Sequence, residues 1–295
     1  MNPNQVQSFL LISSIPIHLL NILSVLLTRN LRKQKAYVIF LNLSFSDLFA
    51  AIFAALRNLY FASMSIAGPA LVFVFMSRCF YFGSVLFTCC ITLDRYIKVR
   101  YCLRYHGIAT QKKIIQLIVA SWTCSFIFVC VSMLPYWLGA DTNRIFGGIV
   151  IHVIVILCSV CLIVSALWVK HIRNSHLREI QRRKIYLGTH GEELSVLKST
   201  GASIVEVVRL NMLTAVLLSV ISISGILMTH FRSAHTVSQI AISVYNVSNP
   251  FVYLVVMNDL KEHYMDLIRR FRWQMRPNQI HPIQWHRDGS VKTIK

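Results

Sequence analysis

Read for hydrophobic and polar positions alone, the chain of 295 residues alternates long apolar runs with short polar breaks. Seven runs, at roughly 8–28, 37–62, 69–97, 114–137, 145–169, 204–229 and 236–257, reach the length of about 20 residues that a bilayer core requires. None shows the alternation of a barrel strand. A spanning segment must satisfy its own backbone N–H and C=O groups, so the runs predict helices. The pattern predicts an all-α fold: a seven-helix transmembrane bundle over 1–257. Beyond it Leu260, Tyr264, Leu267, Ile268 and Phe271 recur at helical spacing with Lys and Arg opposite. That predicts an amphipathic helix over 258–272, lying in the inner membrane interface and in contact with membrane lipids. Residues 273–295 read as a polar, basic cytoplasmic tail. Between runs 5 and 6, KHIRNSHLREIQRRK predicts a basic helical extension of the fifth helix.

Composition sharpens the picture. Hydrophobic residues make up 55% of the chain and charged residues 14%, against about 25% charged in average globular chains. The net charge of +19 is compatible with nucleic acid, a membrane surface or cytoplasmic loops until the charges are placed. All but Arg57, Arg78, Arg144 and Arg232 of the 30 basic residues fall in the breaks after runs 1, 3 and 5, at the run ends bordering them (Arg95, Arg209), or in the tail. Positive loops stay cytoplasmic, so the N-terminus is expected outside and the C-terminus inside. Topology accounts for the charge, and nucleic acid is not expected as a partner. The first residues lack a basic region and a cleavage site, so no removable signal peptide is expected. The sequons at Asn42 and Asn246 lie within runs and should stay unglycosylated. Of the eight cysteines, seven lie in the runs and Cys102 in a basic break, which suggests neither a disulfide framework nor a metal site.

Polar groups inside spans are costly, and by default they are functional candidates. They are Asn21, Asn42, Asp47, Arg57, Asn58, Arg78, His152, Asn211, Asn246 and Asn249, with Asp94-Arg95-Tyr96 where run 3 ends. Asp94 can neutralise Arg95 at a low-dielectric boundary, where an unpaired charge is disfavoured. Asp47 is a lone carboxylate deep in run 2, and needs a cation, several donors or a proton. No nucleophile–base set or metal triad appears, so no enzyme is expected.

Five features stand in order on these runs. They are Asn21; Leu43-Ser44-Phe45-Ser46-Asp47; Asp94-Arg95-Tyr96; Trp122; and Asn249-Pro250-Phe251-Val252-Tyr253. With them the chain resembles a rhodopsin-like (class A) G-protein-coupled receptor from about residue 10 to 272. The resemblance implies a multi-pass plasma-membrane receptor whose partners are an extracellular ligand, a heterotrimeric G protein and an arrestin. It implies an activation switch of Asp94, Arg95, Tyr96, Asn249, Pro250 and Tyr253, with Arg95 leaving its restraint to contact the G protein. Glu206, at the inner end of span 6, is a candidate second partner for Arg95. Asp47, Ser84 and Asn249 match the family's sodium-binding cluster, with Asn21 nearby; sodium would be an allosteric ligand, and no other cofactor is implied. A protonated Asp47 in a hydrogen-bond network is the alternative. Tyr245 stands where the family often has a polar amide.

Other departures matter. The family's outer disulfide has neither partner here: its span 3 position falls near Ala70, and the loop YWLGADTNRIFGG has no cysteine. Span 5 lacks its usual proline, and span 6 has neither the Cys-Trp-x-Pro motif nor any proline, although Ser222, Ser224 and Gly225 offer a bend. Similar absences occur in melanocortin, cannabinoid and lysophospholipid receptors. No carboxylate occupies the outer half of span 3, where an amine receptor would keep one; Ser77 is near that place. No lysine in span 7 is available for a retinal Schiff base. Arg57, Asn58, Ser77 and Arg78 instead suggest an outer cavity for a carboxylate or phosphate, as on a fatty acid or lysolipid, because guanidinium matches such groups bidentately. Snorkelling to headgroups, or a structural Arg57–Asn58 pair, is the plainer reading. Two competing functions remain: a receptor-fold scaffold that no longer signals, supported by the missing span 6 motif, and, with weaker support, a transporter.

Overall fold

The computed structural model describes residues 3–63, 67–101, 104–137, 141–187, 212–216, 218–223, 240–250, 264–265 and 269. Among these residues the ordered backbone is helical. In chain order the helices are α1 (Pro3–Leu27), α2 (Arg29–Lys33), α3 (Lys35–Ser63), α4 (Ala67–Arg100), α5 (Tyr105–Ile108), α6 (Gln111–Trp137) and α7 (Asp141–Leu187). Five stretches are long and apolar enough to cross a bilayer: Gln5–Leu27, Lys35–Tyr60, Leu71–Lys98, Gln111–Leu134 and His152–Ile172. They coincide with the first five predicted spans. The sixth and seventh are described at 212–216, 218–223 and 240–250, which are helical. The predicted amphipathic helix is described only at 264–265 and 269, which are helical, and the tail lies outside the described residues.

The polarity of the packing is that of a protein in lipid. On α6, Ile115, Val119, Phe126, Ile127, Val131 and Leu134 face outward, about half exposed, while Ser121, Ser125 and Ser132 of the same helix are buried. A water-soluble bundle would place these groups the other way round. The chain is therefore a multi-pass membrane protein. α7 runs for 47 residues, about 70 Å at 1.5 Å per residue against a core of about 30 Å. Its second half carries Lys170, Arg173, Arg178, Arg182, Arg183 and Lys184, as the basic extension predicted.

The helix α4 is central. It packs most extensively on α3, and also against α6, α7 and α5, while α1 packs on α3. Lipid offers little hydrophobic drive for helices to associate, so close backbone approach and interhelical hydrogen bonds carry the packing. Gly83 provides the approach: a Cβ there would lie 2.6 Å from Ser46 Oγ and 3.1 Å from the Trp122 ring. Around it Ser46 donates to the Phe80 carbonyl and Ser125 to the Cys79 carbonyl. The Trp122 ring stands edge-on to Phe80 and Phe87, with centroids 5.7 and 5.2 Å away, and its Nε1 donates to Asn42 Oδ1 at 3.2 Å. One locus thus joins α3, α4 and α6.

Replacing Gly83 by valine should destabilise the protein by about 1–3 kcal/mol through overpacking. Gly107→Ala meets nothing within 4 Å and should melt like the wild type. Thermal unfolding of the purified proteins checks both, and equal melting of all three would refute the tight α3–α4–α6 contact.

Candidate functional site

The groups singled out from the sequence fall at three levels along the bundle. At mid-bundle, Asp47 of α3 is 1% exposed. Ser84 of α4 donates its hydroxyl proton to Asp47 Oδ1. Asn249, on helical stretch 240–250, turns its amide onto the same carboxylate, with Nδ2 3.1 Å from Oδ2 and 3.3 Å from Oδ1. The structure thus brings together the three residues expected to cluster. Asn21 is engaged elsewhere: its Oδ1 accepts from the Tyr264 hydroxyl at 2.8 Å, and its Nδ2 has no hydrogen-bond partner among the described residues. Tyr245, fully buried, places its hydroxyl 3.3 Å from both Ser84 Oγ and Thr88 Oγ1. Pro250 is buried one residue after Asn249.

At the far end of α4, Asp94 is 5% exposed and Arg95 and Tyr96 are half-buried. Asp94 Oδ1 accepts a hydrogen bond from the Tyr105 hydroxyl at 2.6 Å, while Asp94 Oδ2 and Arg95 Nε are buried with no partner among the described residues. The carboxylate is thus held by the short helix α5 and not by the neighbouring arginine. Lys35, the first residue of α3, donates to the Ala109 carbonyl at the end of α5 and so ties that helix to the bundle. Burial, then the hydrogen bond to Asp94 and its negative charge, push the Tyr105 phenol up from its ordinary pKa, with Arg95 opposing. The donor therefore keeps its proton at neutral pH. Glu206 and Tyr253, the remaining members expected here, lie outside the described residues.

At the opposite end, Arg57 Nε and Nη2 both reach Asn58 Oδ1, at 3.2 and 3.0 Å. Asn58 Nδ2 passes the contact to Gln7 Oε1 and Ser8 Oγ of α1, at 3.1 and 3.3 Å. Arg78 Nη1 lies 3.0 Å from Met133 Sδ, close enough to Arg57 and His152 for its charge to act on both. Ser77 is buried and spends its hydroxyl on the Val74 carbonyl at 3.0 Å. The Arg57–Asn58 pair named as the plainer reading is present, and it ties α3 to α1.

Two functional-site residues were not expected. Tyr105 lies in a polar break that gave no sign of folding back onto α4. His18 of α1 is 1% exposed, and its Nε2 has no partner among the described residues. Its spacing from Asn21, one helical turn on the same face, was a signal that could have found it.

Comparison with known proteins supports the same reading. The family described as 7 transmembrane receptor (rhodopsin family) matches residues 19–144, which hold α2 to α6 and the ends of their neighbours. "Octopamine receptor 1" of Lymnaea stagnalis is 32% identical over 66 residues, which is 22% of this chain and a tenth (10%) of that protein. The rhodopsin-like resemblance is borne out by these matches, and the matched family is one of receptors, not of enzymes.

Removing the Tyr105 hydroxyl in Tyr105→Phe strands a buried carboxylate oxygen and should cost about 1–3 kcal/mol. Because the phenol's pKa is raised on folding, its stabilisation is present below the ordinary tyrosine pKa and fades only as pH rises through the folded value. The loss of stability should therefore be the same at about pH 6 and pH 8. Unfolding of Tyr105→Phe at both values measures it, and an unchanged stability would show that Asp94 draws its donor from elsewhere.

Proposed function

We propose that this rhodopsin-family chain is a working seven-helix receptor of the plasma membrane, with its N-terminus outside. In this reading an extracellular ligand shifts its population toward a state that binds a heterotrimeric G protein at the Asp94 end. The observation that carries the reading is the coincidence of family match and geometry. Residues 19–144 contain Asp47, Ser84, Asp94 and Arg95, and all four side chains are buried or half-buried within one bundle. Burying such groups costs several kcal/mol per charge, which a protein made only to sit in lipid has no reason to sustain. The segment that follows Arg95 adds Lys98, Arg100, Arg104, Lys112 and Lys113 in sequence, a basic stretch suited to such a partner.

For the ligand, the end carrying Arg57 and Arg78 has one acid in sequence, Asp141, beside these two guanidiniums and His152. That excess supports an anionic ligand, a carboxylate or phosphate on a lipid-like body. The amine in the name of the Lymnaea protein is not carried over, because the outer half of α4 offers Ser77 and no carboxylate. The competing reading, a receptor-fold partner that does not signal, draws on the absence of proline and of Cys-Trp from 204–229.

Ligand-free nucleotide exchange on a panel of G proteins, in membranes, separates the two. The wild type should show a basal signal on at least one G protein, lost in Arg95→Ala at equal surface expression. A signal of equal size in the mutant would remove Arg95 from coupling, and silence of both across the panel would favour the non-signalling partner. Once an anionic agonist is in hand, Arg57→Ala with Arg78→Ala should raise the concentration needed at least tenfold, the equivalent of about 1.4 kcal/mol. Unchanged potency would refute the anion site.

A further inference from the structure

The cluster around Asp47 is where the receptor resemblance implies a sodium ion, and whether the residues fit one is decided by their hydrogens. A hard cation is held by oxygen lone pairs, whereas a hydroxyl has one proton to place and an amide nitrogen only donates. Thr88 places its proton on the Ser84 carbonyl, with Oγ1 3.0 Å from that oxygen. Ser84 places its proton on Asp47 Oδ1. Both hydroxyl oxygens are then left as acceptors, and the Tyr245 hydroxyl sits 3.3 Å from each. The phenol proton is therefore turned inward, into the same cluster, where Ser84 and Thr88 offer these oxygens. Asn249 Nδ2 points the same way, at both carboxylate oxygens and, at 3.5 Å, at Ser84 Oγ.

Protons thus converge on the carboxylate from two sides, in the order Tyr245 to Ser84 to Asp47, and directly from Asn249. Such a set stabilises a buried carboxylate as a cation would, and it repels a cation placed among the same atoms. The phenol also fills the space. Tyr245 is 0% exposed, and its ring stands edge-on to Tyr81 with centroids 5.9 Å apart. The residues present do not fit sodium.

We infer that in this chain the Tyr245 hydroxyl takes the place of the ion, as a built-in donor that closes the Asp47–Ser84–Asn249 cluster and leaves the receptor blind to sodium. The link between α3, α4 and the helix at 240–250 is then covalently supplied by a side chain. It does not change with the sodium concentration outside the cell.

The test is the melting of the purified full-length protein in sodium chloride against potassium chloride at equal ionic strength, which reads the cluster whether or not the chain couples to a G protein. The wild type should melt alike in the two salts, and so should Asp47→Asn. Tyr245→Asn, which removes the ring and restores oxygen lone pairs, should gain a sodium-specific rise of a few degrees. That rise should vanish in the double variant with Asp47→Asn. A sodium-specific rise in the wild type that Asp47→Asn abolishes overturns the inference, and this arm stands even if Tyr245→Asn does not fold. A folded Tyr245→Asn protein that remains blind to sodium overturns the role assigned to Tyr245.

Discussion

A carboxylate in the middle of a bilayer has no water to turn to. It must find its donors within the protein, and it fixes the position of whatever supplies them. Asp47 takes one donor from α4 and another from the helix at 240–250, so three helices meet at its level. The α4 donor, Ser84, reaches α3 only because the two backbones come close, and the residue that lets them do so is its neighbour Gly83. A side chain there would meet Ser46 on α3 and Trp122 on α6. Close approach and polar satisfaction therefore occur at adjacent positions. The outward-facing leucines, valines and phenylalanines of α6 and α7 contribute solvation in lipid but no register. The register comes from Asp47, Asn42 and their partners.

Much of this was legible in the sequence because the bilayer punishes polarity so heavily. The five long helices α1, α3, α4, α6 and α7 were visible as apolar runs. Asp47, Ser84 and Asn249, from three runs, were expected together and are together. What the sequence did not reveal is which donor each acid uses. Asp94 and Arg95 are adjacent in the chain, yet consecutive residues of a helix point in different directions, and the acid takes its bond from Tyr105, eleven positions on. That partner lies in a polar break, where hydropathy says nothing about folding back. Tyr245 was legible as a departure from a family pattern but not as a donor, since the direction of a hydroxyl depends on where its neighbours have already spent theirs. Arg57 was read as a ligand group or as the partner of Asn58. The second contact is present, and it shows how an arginine near a span end can serve helix packing as well as recognition.

The face of α4 that looks into the bundle links the levels. Ser77, Tyr81, Ser84, Thr88, Thr92 and Arg95 recur at steps of three and four, which places them in one stripe. They differ in what they require. Ser77, Thr88 and Thr92 already bond carbonyls of their own helix, at 3.0 Å in each case. Such hydroxyls carry their satisfaction with them when the helix turns or slides. Asp47 and Asp94 cannot: each depends on a donor from another element, and losing it would leave a buried acid exposed to the full cost of desolvation. A change of state in this bundle is therefore held back at Asp47 and Asp94, where each buried acid must exchange its donor. In the proposed receptor, a ligand at the Arg57–Arg78 end would supply the free energy to exchange donors at those two acids.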